Sequence, residues 1–525
     1  MSKAAKLAKV SAKGSFNLLW GLVASTVISA VGTIFVARLL APSEYGIYTI
    51  ALTAPNLISN FRDWGVNAAM IRYGAQYNSE NQTAKVKSIF FSGLIFETVL
   101  GLALSVLSFL LSGFLATSVF QRSSLVPLIQ IASFIILTGA LLSTAQAAFT
   151  GIEKMELNSI TLICQSIIKT ILIPTLVVLG LGAFGAVIGY TIAFLIAGLI
   201  GILLMWMLYR SLPKQTDAKL EIAANIKTMF KYGFPLSIAA ILGGFLTQFY
   251  NFLIAIYATD VMIGNYSVAN SFVVLITFFA TPITTMLFPA FSKLDPQNDQ
   301  ETLKNVYQFS VKYAALLVVP AAAVVMALSQ PAVSTLFGDK YGFTPLFLSL
   351  LAITYLYSAL GNLSVGNLIN GQGQTKFNLK LTLLTVAIGF PLGFILISEF
   401  GVIGLITTTL TAGLPSLIIA LRWIKKHYSL TVDWNSSAKI LLSSATAAAI
   451  TYAIVSQLSF SSWIILIIGL VIFIPVFIIA ILLTRTINRS DINNLREMLS
   501  ELGPLSHLFN FLLNIIEKLI TTIQA

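Results

Sequence analysis

Charge is what this sequence has least of. Only 10% of its 525 residues are Asp, Glu, Lys or Arg, where ordinary soluble domains carry about a quarter, and this excludes a soluble globular fold. One cysteine, Cys164, stands in an apolar run, so neither a disulfide nor a metal-thiolate site can form within the chain. The two histidines, His427 and His507, fall in polar edges and join no His/Cys/carboxylate cluster with ligand spacing. The sequence therefore predicts no metal site. No phosphate-binding GxxxxGK(S/T) loop is present, which removes the signature of ATP hydrolysis. The external loops are short, so an enzyme with its active site outside the membrane is not expected, and the reading assigns no catalytic residue and no cofactor. Acidic side chains are also scarce, 19 against 31 basic ones. That excess follows topology and gives no reason to expect nucleic acid.

What the chain does have is apolar length. Hydrophobic residues make up 57% of it and the mean hydropathy is +0.90. The runs recur at about the 20 residues of a spanning helix, not at the alternating 10 or so of a barrel strand. The fold class expected is an all-α polytopic membrane protein with fourteen transmembrane helices. The spans are 16–40, 46–71, 88–112, 124–150, 157–180, 183–208, 230–257, 262–290, 305–329, 344–370, 377–398, 402–423, 438–457 and 462–484. With the N-terminus inside, 25 Lys and Arg fall in cytoplasmic segments and three, Arg38, Arg122 and Lys340, in external ones. This positive-inside bias predicts a multi-pass protein of the cell (plasma) membrane with both termini cytoplasmic.

Landmarks repeat along the chain. Gly46-x-Tyr48-x-x-Ala51 returns as Gly264-x-Tyr266-x-x-Ala269, 218 residues later, and Pro127 returns as Pro345 at the same offset. Gly182-x-x-Gly185 returns as Gly401-x-x-Gly404 at 219, and Gly151 with Asn158 as Gly371 with Asn378 at 220. An even number of spans, six, separates them, so the halves are related by an axis along the membrane normal. The expected organisation is two pseudo-symmetric six-helix lobes, 16–208 and 230–423, joined by a cytoplasmic linker at 209–229. An amphipathic cytoplasmic N-terminus precedes them at 1–15. Two additional C-terminal spans follow in 424–484, then cytoplasmic or interfacial helices in 485–525. Within these, 505–523 carries one polar stripe and reads as lying in the interface, with a fifteenth span as the alternative.

Ionisable groups inside spans face a bundle interior or a wet cavity, because lipid exposure costs at least about 2.5–3.5 kcal/mol. Lys169, near the middle of its span, reads either as a cavity cation or as one half of a buried ion pair with Glu97. Arg62 and Asp63 are adjacent on the second span and need different surroundings; Arg62 is expected in a cavity, with pairing to other helices as the alternative. Arg38 and Lys312 lie nearer helix ends, where a long stem reaches the interface. Amides form a softer set: Asn56 and Asn60 on one helix face, with Gln248, Asn251 and Asn270 further on. Interhelical hydrogen bonds account for many such residues without a ligand.

The stretch Ala37-Arg38-Leu39-Leu40-Ala41-Pro42-Ser43-Glu44-Tyr45-Gly46-Ile47-Tyr48, with Arg62-Asp63-Trp64-Gly65 and Ala69-Met70-Ile71-Arg72-Tyr73, resembles the opening of Wzx-type polysaccharide flippases. These are transporters of lipid-linked oligosaccharides in the multidrug/oligosaccharidyl-lipid/polysaccharide superfamily. The resemblance implies a flippase that moves a polyprenyl-phosphate- or -pyrophosphate-linked glycan from the inner to the outer leaflet by alternating access. It implies Arg62, Lys169 and Arg38 as the cationic part of the cavity, and Asn56, Asn60, Gln248, Asn251 and Asn270 for sugar hydroxyls. Members often have an acidic residue where this chain has Asn251, which leaves Asp63, Glu97 and Asp260 as carboxylates for ion coupling. The partners implied are the lipid-linked glycan, membrane lipids and glycan-assembly enzymes, with the chain itself a monomer. The rival readings are a cation-coupled multidrug antiporter of the same superfamily and a membrane glycosyltransferase or polymerase.

Overall fold

In hydrocarbon a backbone has no water to bond, so each apolar run satisfies its polar groups within itself by coiling into a helix. A computed structural model of the protein describes residues 3–213, 221–296 and 298–487, with 491–492, 496, 514 and 517. The elements are α1 (Lys3–Leu39), α2 (Pro42–Ser59), α3 (Val66–Ser79), α4 (Thr83–Phe114), α5 (Val126–Gly151), α6 (Met155–Leu176), α7 (Gly182–Ser211), α8 (Ile222–Tyr257) and α9 (Asp260–Ser292). There follow α10 (Gln300–Ala327), α11 (Ser329–Leu336), α12 (Thr344–Leu356), α13 (Asn362–Gly371), α14 (Thr375–Ala412), α15 (Leu414–Tyr428), α16 (Trp434–Val455) and α17 (Ser462–Leu483). Among the described residues there is no strand, and the protein is an all-helical, multi-pass membrane protein. The side chains expected to make residues 1–15 amphipathic, the linker residues 214–220 and the interfacial helix at 505–523 lie outside what is described, apart from the backbone of α1 and positions 514 and 517.

Nine stretches among the described residues are long and apolar enough to cross a membrane, or ten if α12 and α13, bent by 52°, count as one. The fourteen expected spans are therefore not matched one for one. Residues 155–211 form one stretch of 57 residues and 375–428 one of 54, whereas a single crossing takes about 20; each folds back at a glycine. The expected span 46–71 is two helices, α2 and α3, with residues 60–65 between them.

Contacts group the chain into two compact units, residues 1–271 with 386–408 and residues 272–385 with 409–525. The division does not fall at the 209–229 boundary suggested by the repeat, because α8 and the start of α9 go with α1–α7. In the first unit α1 packs on α6, and α5 is covered by α3, α4 and α7. Small residues and hydroxyls bring these helices together: Ser29 donates to Ser166 (3.1 Å) and Thr170 to the Ile28 carbonyl (2.9 Å), the small-residue packing that membrane helices rely on. In the second unit Phe291, Tyr307, Leu368 and Ile424 form a buried core. There Lys312 does not snorkel: its Nζ meets Asp491 Oδ2 at 2.7 Å, and Tyr313 donates to the same carboxylate. A charge this enclosed gains more from a partner than from a strained reach to the interface.

The repeated landmarks occupy equivalent places. Pro127 and Pro345 sit in the first turns of α5 and α12, and Gly151 and Gly371 end α5 and α13. Gly182 has φ 50, ψ −135 and Gly401 has φ 55, ψ −126. This is the conformation of the first central residue of a type II′ turn, which a Cβ opposes. At Gly401 the space around an added Cβ is open, the nearest atom being Ala258 Cβ at 3.8 Å, so substitution there tests the backbone alone. Gly401→Ala is expected to destabilise the purified protein by about 1–3 kcal/mol, seen as earlier thermal unfolding in detergent; an unchanged melting profile would show that the turn does not need glycine.

Candidate functional site

The break between α2 and α3 places the first group of polar side chains. Gly65 opens α3 with φ 85, and a Cβ there would strike the backbone of Gly233 on α8. Asp63 closes the break by accepting from the Gly65 N–H (3.0 Å) and the Asn67 N–H (3.1 Å), satisfying donors that a helix start leaves open. Arg62 reaches α4. Its Nε lies 3.1 Å from Glu97 Oε2, with the Glu97 side chain fully buried, and its Nη2 donates to Ser143 (2.8 Å). Asn67 donates to Glu97 Oε1 (3.1 Å). Glu97 of α4 is therefore the partner of Arg62, not of Lys169, and Arg62 does not line the cavity described next. Neighbours in sequence both come to Glu97 here, Arg62 as its ion-pair partner and Asp63 through a side-chain hydrogen bond, because the helix is interrupted where they stand.

That cavity lies within the first unit and encloses about 280 Å³. Its walls are Thr33 of α1, the Tyr45–Asn56 part of α2, Lys169 of α6, Tyr190 of α7, Gln248, Asn251, Ile254 and Ala255 of α8, and the Ile263–Ser271 part of α9. Lys169 is the one charged side chain among its lining residues, and no carboxylate lines it. Lys169 Nζ sits 5.9 Å from the centre of the Tyr190 ring, within cation–π range, and Tyr190 meets Tyr48 edge-on at 6.2 Å. Asn251 donates to Gln248 Oε1 at 3.4 Å. The surface is thus aromatic and amide-lined with one positive charge, suited to hydroxyls, sugar-ring faces and a single anionic group.

Helices α2 and α9, which both line this cavity, also meet each other. A Cβ on Gly46 would collide with the Asp260 carbonyl, and one on Gly264 with the Pro42 carbonyl. The two copies of Gly-x-Tyr-x-x-Ala therefore cross each other, glycine to backbone, and send Tyr48 and Tyr266 into the same cavity.

Of the residues expected from sequence, the cavity brings together Lys169, Asn56, Gln248, Asn251 and Asn270. Asn60 is turned back to the Asn56 carbonyl (3.4 Å) and is not among the lining residues. Arg38 is exposed at the end of α1 and is not among them either. Asp63 is held in the helix break and Glu97 of α4 is paired with Arg62. The tyrosines Tyr45, Tyr48, Tyr190 and Tyr266 were not expected, although the repeat marks two of them. Arg122, counted only as an external charge, makes four polar contacts in the structure. Among the described residues no group of three or more His, Cys, Asp and Glu side chains is placed to hold a metal ion.

A family model described as polysaccharide biosynthesis protein matches residues 35–344. A protein of Haloferax volcanii described as a probable low-salt glycan biosynthesis flippase is 22% identical over 302 residues, 57% of this chain and 63% of its own length. The lipopolysaccharide biosynthesis protein WzxC of Escherichia coli is 25% identical over 401 residues, 72% of this chain and 77% of its own. The chain thus spans less than two thirds of the first of these relatives. Among solved structures, the lipid II flippase MurJ in an inward closed conformation superposes with a TM-score of 0.71 at 17% identity, covering 88% of this chain and 97% of that one. An inward-facing multidrug resistance MATE family transporter of the MOP superfamily gives 0.59 at 15%, covering 77% and 94%. Identities at this level establish a shared fold.

The buried pair carries its own test. Glu97→Ala leaves the Arg62 guanidinium enclosed without its carboxylate and is expected to cost about 3–5 kcal/mol, while the double change Arg62→Met with Glu97→Met recovers much of that loss. Thermal denaturation of the three purified proteins decides it: a double variant no more stable than Glu97→Ala would show that the pair is not a closed unit.

Proposed function

The chain is a member of the polysaccharide biosynthesis protein family, and from that premise we propose that it flips a lipid-linked oligosaccharide from the inner to the outer leaflet. The observation that carries this reading is the cavity of the first unit, neutral and polar but for Lys169. A sugar head group brings hydroxyls and ring faces, which amides and tyrosines meet, and a phosphate linkage or acidic sugar brings negative charge, which Lys169 meets. The lipid tail can remain in hydrocarbon while the head group crosses in a wet, polar space.

The relatives support this, since one is described as a glycan biosynthesis flippase and the fold is shared with a lipid II flippase. The fold is also shared, less closely, with a multidrug transporter. The cavity favours the glycan, because a cationic drug would be opposed by Lys169 and would find no carboxylate. We assign Lys169 to the anionic group of the substrate, and Asn56, Gln248, Asn251 and Asn270 to hydroxyls. Arg62, Asp63 and Glu97 we assign to holding the α2–α3 break, not to an ion in transit. Alternating access would move lobes 16–208 and 230–423 against each other, with both termini in the cytoplasm; the equivalent glycine turns at Gly182 and Gly401 support the two-lobe plan. Glycan-assembly enzymes on the cytoplasmic side would supply the substrate.

Lys169→Met, which keeps the stem and removes the charge, is expected to lower surface glycan by at least about tenfold, the equivalent of ~1.4 kcal/mol, while Lys169→Arg retains a substantial part. Surface glycan is quantified by lectin staining of cells that depend on this chain, at equal protein abundance. Full export by Lys169→Met would remove the cavity as the head-group site.

A further inference from the structure

The transport reading accounts for the cavity but not for the four contacts of Arg122. This residue lies just before α5. Its Nε bonds Asp260 Oδ1 at 2.7 Å, its Nη1 donates to the carbonyls of Phe120 (2.9 Å) and Ala255 (2.6 Å), and its Nη2 donates to the Ala258 carbonyl (2.9 Å). A guanidinium has five donors in a planar fork, and here the fork spans the segment before α5, the last turn of α8 and the first residue of α9. Carbonyls at a helix C-terminus lack intrahelical partners and favour a cation, and this arrangement supplies one.

Ala255 links the clamp to the cavity, because its carbonyl accepts from Arg122 while the residue itself lines the cavity with Ile254 and Ile263. Asp260 links it to the crossing of α2 and α9, since the backbone of the same residue lies against Gly46. That crossing is backbone against glycine, and Tyr45 of α2 and Ser271 of α9 add one side-chain hydrogen bond across it. A head group leaving at this end requires the α8–α9 turn to part from both α2 and the segment before α5, and Arg122 ties that turn in place.

We propose that Arg122 is the latch of a gate closing the cavity at its Ala255 end, on the side that the positive-inside bias of the sequence leads us to expect outside the cell. The gate serves the transport reading, but its test needs no substrate and so stands or falls apart from the Lys169 experiment. In a Cys164→Ser background, Ser267→Cys puts a single thiol in the cavity wall. Intact cells are treated with a membrane-impermeant methanethiosulfonate and the rate of labelling is measured. Arg122→Ala is expected to label at least about tenfold faster than its Arg122 parent, the response of a two-state gate biased by roughly 1.4 kcal/mol. Arg122→Lys falls between them, because an ammonium cannot reproduce the fork. Asp260→Asn has a smaller effect than Arg122→Ala, because the three carbonyl contacts remain. If Arg122→Ala fails to reach the membrane, Arg122→Gln carries the same comparison. Equal rates for the Arg122 variant and its parent would overturn the latch, and so would acceleration confined to inside-out vesicles.

Discussion

A charge or an open backbone group in hydrocarbon must be met by protein or by enclosed water, and the first unit is arranged around that demand. It has three clear debts to settle: the carboxylate of Glu97 deep in α4, the interrupted backbone between α2 and α3, and the ammonium of Lys169. The first two cancel one another. Arg62 stands where the helix breaks and reaches Glu97, and Asp63, one residue on, caps the helix that resumes. Because Glu97 is taken by Arg62, Lys169 faces the cavity with the Tyr190 ring beside it. The local electrostatics thus separate a structural set of charges from one that can serve a ligand.

The cavity owes its shape to glycine. Gly46 and Gly264 let α2 and α9 approach until backbone meets backbone, and the tyrosines two positions later, one helical turn's fraction onward, point together into the enclosed space. Larger residues would hold the helices apart and open the floor. The contact between the motif copies and the clamp made by Arg122 share Asp260, so closing the cavity and positioning its tyrosines are consequences of one packing arrangement.

Much was legible in the sequence for a physical reason: hydropathy, charge asymmetry and turn geometry are local properties. The all-helical membrane class followed from long apolar runs, and the repeated glycines Gly182 and Gly401 were legible because the same backbone turn calls for glycine at both. The amides Asn56, Gln248, Asn251 and Asn270 were legible as polar groups that hydrocarbon would not accept. The broken span at 60–65 was not, since the apolar runs on either side of it read as one helix, and at the break Gly233 of another helix lies against Gly65.

Partnership was the part beyond reach. Lys169 and Arg62 have the same claim on Glu97 when only spacing along the chain is known, and Lys312 looked able to reach an interface until Asp491 was seen beside it. The sequence by itself determined that this chain lives in the membrane, is built from long apolar helices and carries buried polar groups, because those are properties of segments. Only the tertiary structure decided which charge is neutralised and which remains in a cavity, because an ion pair is settled by distances of a few ångströms between helices that are far apart in the chain.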